Sequence, residues 1–264
     1  MTEIPEVARE DLRDGRLSLG RVVESGTVRA VAIRRRGLTS VPEWIATLTE
    51  LTELDLGENS LTDVPEAIGG LGALSRLFLH GNRLAAVPAA IGRLSRLSVL
   101  DLGHNRLRSV PESIGRLQAL EILYLGDNRL GTLPAAIGAL RGLRYLGVQQ
   151  NRLDGLPGAV TELSGLVELR LSGNGLLTLP GSIGRLAGLR ELDLRDNALT
   201  TLPDEIGELA NLRVLDLRGN RLTSLPSSVA DLTGLVKLDL RWNRLLDVPA
   251  AVRGLADAGC VVWI

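Results

Sequence analysis

Residues 51–73 read LTELDLGENSLTDVPEAIGGLGA, and residues 74–96 read LSRLFLHGNRLAAVPAAIGRLSR. Laid one above the other, they share Leu, Asn, Pro, Ile and Gly in the same columns. The register continues in both directions. Asn59, Asn82, Asn105, Asn128, Asn151, Asn174, Asn197, Asn220 and Asn243 recur every 23 residues without insertion or deletion. Proline keeps the same beat at Pro42, Pro65, Pro88, Pro111, Pro134, Pro157, Pro180, Pro203, Pro226 and Pro249. A fixed period of this length marks one supersecondary unit stacked on copies of itself. Each copy buries its apolar face against its neighbours, so the chain is read as one elongated stack with no single central core.

The repeat is L-x-x-L-x-L-x-x-N-x-L-x-x-(L/V)-P-x-x-(I/V)-G-x-L-x-x. Ten copies begin at Val28, Leu51, Leu74, Leu97, Leu120, Leu143, Leu166, Leu189, Leu212 and Leu235. Positions 1, 4, 6, 11, 14, 18 and 21 are Leu, Ile or Val in all seventy cases, which assigns them to a shared core. The L-x-L step has the two-residue period of a strand, so positions 3 to 7 are predicted to form a short parallel strand. The rest of each repeat supplies the crossover that parallel pairing needs. Pro at position 15 suits the first turn of a short helix or 3₁₀ segment. Gly at position 19 (Gly69, Gly92, Gly115, Gly138, Gly184, Gly207) is predicted to let that segment end and turn back. Asn at position 9 is expected inside, its amide satisfying backbone groups of neighbouring turns. The first repeat carries Arg36 there, as suits a terminal turn with no preceding neighbour.

These motifs resemble the leucine-rich repeat proteins, in the 23-residue intracellular class typified by Ras-suppressor and scaffold proteins, over residues 28–257. The resemblance implies an α/β solenoid, a curved horseshoe with a concave parallel β-sheet and short helical or 3₁₀ segments on the convex side. It implies protein recognition on the concave face, and it brings no catalytic residue. Outside it, residues 1–27 are predicted to cap the N-terminal edge. A short amphipathic helix carries Ile4, Val7, Ala8 and Leu12, a strand runs from Arg16 to Glu24, and Ser25-Gly26 turns into the first repeat. Residues 258–264 leave the pattern and suit a capping strand. Trp44 and Trp263 are read as cap packing.

A formal net charge of −1, with Lys237 the single Lys, lacks the basic field that nucleic acid or an acidic membrane surface requires. Cys260 is the one cysteine, so no intramolecular disulfide forms, and a reducing, cytoplasmic setting is expected. Met1 to Arg16 has no continuous apolar stretch, which argues against a signal peptide. No run reaches the ~18 apolar residues of a membrane span. Phosphate-binding glycine loops are missing. The chain is read as a monomeric, non-enzymatic binding module without cofactor or metal.

Solvent-facing positions 3, 5, 7 and 8 are free to vary, and they vary unevenly. The only Phe, Phe78, and both Tyr, Tyr124 and Tyr145, fall at positions 3 or 5 of repeats three to six. His80 and His104 fall at positions 7 and 8 of repeats three and four, with Val99 and Ile122 between them at position 3. Tyr offers large contact area at low entropic cost. Gly147 is expected to leave a notch beside Tyr124 and Tyr145. The predicted partner-binding set is Phe78, His80, Val99, Asp101, His104, Ile122, Tyr124, Asp127, Tyr145, Gln149 and Arg170.

A second candidate patch lies further on. Asp193, Asp216 and Asp239 repeat at position 5, and Arg195, Arg218 and Arg241 at position 7. A solvated charge ladder is expected, with Trp242 keeping open the docking of a charged partner on Asp216, Arg218, Asp239, Arg241 and Trp242. The column Arg83, Arg106, Arg129 and Arg152 is read as a soluble loop rim. Two alternatives stand beside the binding module. One is a metal-dependent enzyme at His80 and His104 with Asp101 and Asp127; the other is the recognition domain of a delivered effector.

Overall fold

The computed structural model describes residues 22–23, 27–247 and 250–264. The chain divides into two compact units, residues 1–128 and 129–264.

In the first unit, β1 (Val22–Val23) pairs antiparallel with β2 (Thr27–Val28). The helix expected before them lies outside the described residues. The repeats then contribute β3 (Ala30–Ala32), β4 (Glu53–Asp55), β5 (Arg76–Phe78), β6 (Val99–Asp101) and β7 (Ile122–Tyr124), parallel and in register. In the second unit, β8 (Tyr145–Gly147), β9 (Glu168–Arg170), β10 (Glu191–Asp193), β11 (Val214–Asp216), β12 (Lys237–Asp239) and β13 (Val261–Trp263) pair the same way.

Each repeat strand therefore spans positions 3 to 5, not 3 to 7. The physical reason sits at position 8, where the backbone is left-handed. In the first unit φ is 55° at Arg35, 56° at Glu58, 65° at Gly81, 52° at His104 and 55° at Asp127. In the second it is 53° at Gln150 and Asp196, 65° at Gly173, 66° at Gly219 and 59° at Trp242. This residue swings the chain out of the sheet, and only glycine accepts that conformation without steric cost.

A five-residue 3₁₀ segment follows the proline in most repeats, as in Glu66–Gly70 after Pro65. Pro65 stands just before the segment in extended backbone, and its carbonyl accepts the Ile68 N–H at 3.0 Å. The last repeat differs: α1 (Ala250–Asp257) takes the place of the 3₁₀ segment.

The described aliphatic columns are buried except at Leu38 in the first unit and at Leu225 and Leu245 in the second. The position-19 glycines have a different task from the one predicted. None has positive φ; instead the next repeat's backbone lies against Gly69, Gly92, Gly138, Gly184 and Gly207. A Cβ on Gly92 would sit 2.3 Å from the Ser113 carbonyl oxygen, and one on Gly207 would sit 2.4 Å from that of Ser228. They are close-approach glycines that let neighbouring 3₁₀ segments touch.

The asparagines form a one-way ladder. Asn82 Nδ2 donates to the Leu56 carbonyl of the preceding repeat and to its own Leu79, both at 3.0 Å, while its Oδ1 accepts the Leu61 N–H at 3.0 Å. Asn197 repeats this with Leu171, Leu194 and Leu176. Because each asparagine serves the turn before it, Asn59 satisfies the first repeat's turn through the Arg36 and Leu38 N–H groups. Arg36 can thus replace asparagine without orphaning a backbone group.

Candidate functional site

With the core closed by aliphatic columns, chemistry is left to the outward strand face. In the first unit the position-5 column runs Asp55, Phe78, Asp101, Tyr124, and the position-3 column runs Glu53, Arg76, Val99, Ile122. Val99 and Ile122 are therefore cross-strand neighbours. Phe78 and Tyr124 stand on either side of Asp101, two strands or about 10 Å apart. All four apolar side chains are half-buried.

Asp101 has a structural role that its place in the predicted set does not convey. Its Oδ1 accepts the Gly103 N–H at 3.0 Å, as Asp55 Oδ1 accepts that of Gly57 at 2.9 Å. A position-5 aspartate thus caps the backbone where it leaves the strand. His80 lies with Nδ1 3.3 Å from Asp101 Oδ2, without hydrogen-bond alignment, and Nε2 3.2 Å from Arg34 Nη2. Its ring rests over Gly57, where a Cβ would come within 2.6 Å of the imidazole. Phe78 meets it edge-on, ring centroids 6.5 Å apart. His104 is exposed, 3.6 Å from Asp127. Both of these lie in the left-handed turn, not on the strand. Among the described residues no group of three His, Cys, Asp or Glu side chains is arranged to hold a metal.

In the second unit, the notch expected at Gly147 is filled. A Cβ there would meet the Tyr145 ring and Gln149 Oε1 at 3.0 Å. Arg170 in turn stacks over Tyr145, 5.8 Å from the ring centroid, and pairs with Glu168.

The Asp–Arg columns are a closed zipper, not a solvated ladder. Arg195 forks onto Asp193 with both bonds at 2.8 Å, Arg218 onto Asp216 at 2.9 and 2.8 Å, and Arg241 onto Asp239 at 3.0 and 2.7 Å. Each of the first two also reaches one strand further, Arg195 to Asp216 at 3.8 Å and Arg218 to Asp239 at 3.2 Å. Asp239 is 0% exposed. Burial pushes the Asp193 and Asp239 carboxyls up, but hydrogen bonds from their arginines outweigh it and the net shift is downward. The same bonds raise the arginines, most strongly Arg195. Beyond the zipper, Trp242 is 73% exposed. Arg241 lies between two rings, 4.8 Å from Trp263 and 5.8 Å from Trp242. Trp263 is partly exposed beneath Lys237 and Arg241, so it is not simple cap packing. Burial pushes the Cys260 thiol up, away from nucleophilic use. No helix among the described residues is long and apolar enough to cross a membrane.

Stacked parallel strands, 3₁₀ crossovers and an asparagine ladder define a repeat solenoid within each unit. Family comparison agrees. The model for the leucine-rich repeat region matches residues 88–174 and 180–257, and leucine-rich repeat models match 27–84 and 165–186. The chain belongs to the leucine-rich repeat family.

Among solved structures it is similar to a leucine-rich repeat protein of Leptospira interrogans, 33% identical with a TM-score of 0.80, over 94% of this chain and 66% of that one. It is also similar to the ectodomain of the membrane receptor kinase GASSHO1/SCHENGEN3 from Arabidopsis thaliana, in complex with Casparian strip integrity factor 2. There the identity is 32% and the TM-score 0.78, over 92% of this chain and 31% of that one. The leucine-rich repeat domain of the type III effector XopL is 28% identical, TM-score 0.75, over 98% and 81%. The chain thus spans just under two thirds of the Leptospira chain and about a third of the plant ectodomain. No curated protein matches the sequence.

Proposed function

We propose that the chain is a non-enzymatic interaction module that binds a protein or peptide on its outward strand face. The observation carrying this is the first unit's cluster of Phe78, Val99, Ile122 and Tyr124, which the packed core does not need. Aromatic and aliphatic side chains around a satisfied polar group make an interface centre of the usual kind. His80, His104 and Asp127 form its polar margin. The plant receptor ectodomain, determined with a bound factor, supports the same use of the frame. A reducing, cytoplasmic setting belongs to this reading through the single Cys260. The likeness to the XopL repeat domain also favours a second reading, a recognition domain within a delivered effector.

The test is paired affinity capture from the source cell with wild type and a Phe78→Ala/Tyr124→Ala variant. Loss of the wild-type partner, with a melting temperature changed by no more than about 3 °C, is the expected result. Undiminished capture by the variant would overturn the assignment to this cluster.

A further inference from the structure

The second unit holds a groove of about 240 Å³ that crosses the four strands β9 to β12. Three strand spacings of about 4.8 Å give it a length near 14 Å, which suits four or five residues of extended chain. Most charges lining it are already spent. Glu168 pairs with Arg170, and the aspartates and arginines of the zipper satisfy one another. Among the described residues lining the groove, two charged side chains have no ion-pair partner: Glu191 and Lys237. They share the position-3 column, Glu191↔Val214↔Lys237, with the smaller apolar Val214 between them. Lys237 is held in place, its Nζ 4.6 Å above the Trp263 ring. The floor is therefore neutralised, and two opposite charges stand about 10 Å apart beside an apolar seat.

We propose that this groove binds an extended peptide segment bearing a basic and an acidic side chain three positions apart. A polyproline II chain puts residues i and i+3 on one side about 9 Å apart, matching the Glu191–Lys237 spacing. The basic side chain pairs with Glu191, its aliphatic stem lying along Val214, and the acidic one pairs with Lys237. This extends the interaction reading to a second site and does not use Phe78 or Tyr124.

The experiment is a titration of the full chain, followed by NMR or fluorescence anisotropy, with the peptide acetyl-Gly-Arg-Pro-Val-Asp-Gly-amide and its Arg→Gln and Asp→Asn analogues. Saturable binding below about 1 mM is expected, with each neutral analogue weaker by roughly tenfold. Glu191→Gln should become indifferent to the Arg→Gln change, and Lys237→Met to the Asp→Asn change. Equal binding of all three peptides, or no saturation by wild type, overturns the proposal. The Phe78→Ala/Tyr124→Ala variant should bind these peptides as wild type does. Partner capture that depends on Phe78 and Tyr124, together with peptide failure, sinks only the charge-pair site.

Discussion

In the first unit, position 5 runs Asp55, Phe78, Asp101 and Tyr124; in the second it runs Gly147, Arg170, Asp193, Asp216 and Asp239. The backbone frame beneath is the same, a three-residue strand followed by a left-handed turn. In both, aspartate Oδ1 caps the N–H two residues on, at Gly103 in one unit and Arg195 in the other. What differs is the residue that follows. A glycine at position 7 leaves Asp101 to a neighbouring histidine, whereas an arginine there folds back on its own aspartate and on the next one. The first unit's face is thus apolar with scattered charge, and the second unit's face is ionic and largely self-satisfied. Charge in a sequence is therefore a poor guide to charge on offer.

The sharpest way to break this contrast is to remove one member of the zipper. Asp239→Ala leaves Arg241 without its forked partner and takes from Arg218 the second of its two carboxylates, and about 1–3 kcal/mol of loss is expected in urea unfolding. Hydrogen exchange should place the loss in β11 and β12, because repeats pass stability only to neighbours. Acid makes the same point without mutation. The Asp193 and Asp239 carboxyls are shifted down in the folded protein, so the unfolded chain takes up protons first. Their stabilisation is present above about pH 4, the ordinary carboxylate range, and is lost as pH falls through the folded values. Glu58 in the first unit is also shifted down by Arg35, but as an exposed pair it contributes little. Below pH 4 the second unit should lose exchange protection before the first; the reverse order would remove the contrast.

The frame should respond alike in both units. Gly92→Ala and Gly207→Ala each force a methyl onto backbone oxygen, and each should cost about 1–3 kcal/mol by denaturant unfolding. Unequal costs would show that the 3₁₀ stacking differs between units as the strand face does. The smallest effect is expected at the left-handed turn. Trp242→Gly relieves a bulky residue at φ 59°, worth about 1–2 kcal/mol, against a comparable gain in unfolded-chain freedom. Its melting temperature should match or slightly exceed wild type, and a clear drop would mean that the Trp242 ring, stacked on Arg241, is part of the fold.

The period alone decided most of the architecture. Leu, Pro and Asn columns state which residues face inward and where each crossover starts, since a 23-residue repeat admits one stacked solution for seventy aliphatic side chains. The clustering of Phe78, Val99, Ile122 and Tyr124 was legible too, because neighbouring repeats bring equal positions side by side. Three things were not. Gly57 seating His80 and glycines at position 19 meeting the next repeat's carbonyl depend on contacts between residues 20 or more apart, and Gly147 covered by Tyr145 depends on a side-chain rotamer; no pattern encodes either. The fate of each charge was hidden for the same reason. Asp239 and Glu191 are both plain carboxylates in the sequence, yet one lies sealed under two arginines and the other faces open groove. Composition supplies the charges; only the packing of one strand against the next determines which are neutralised and which remain for another molecule.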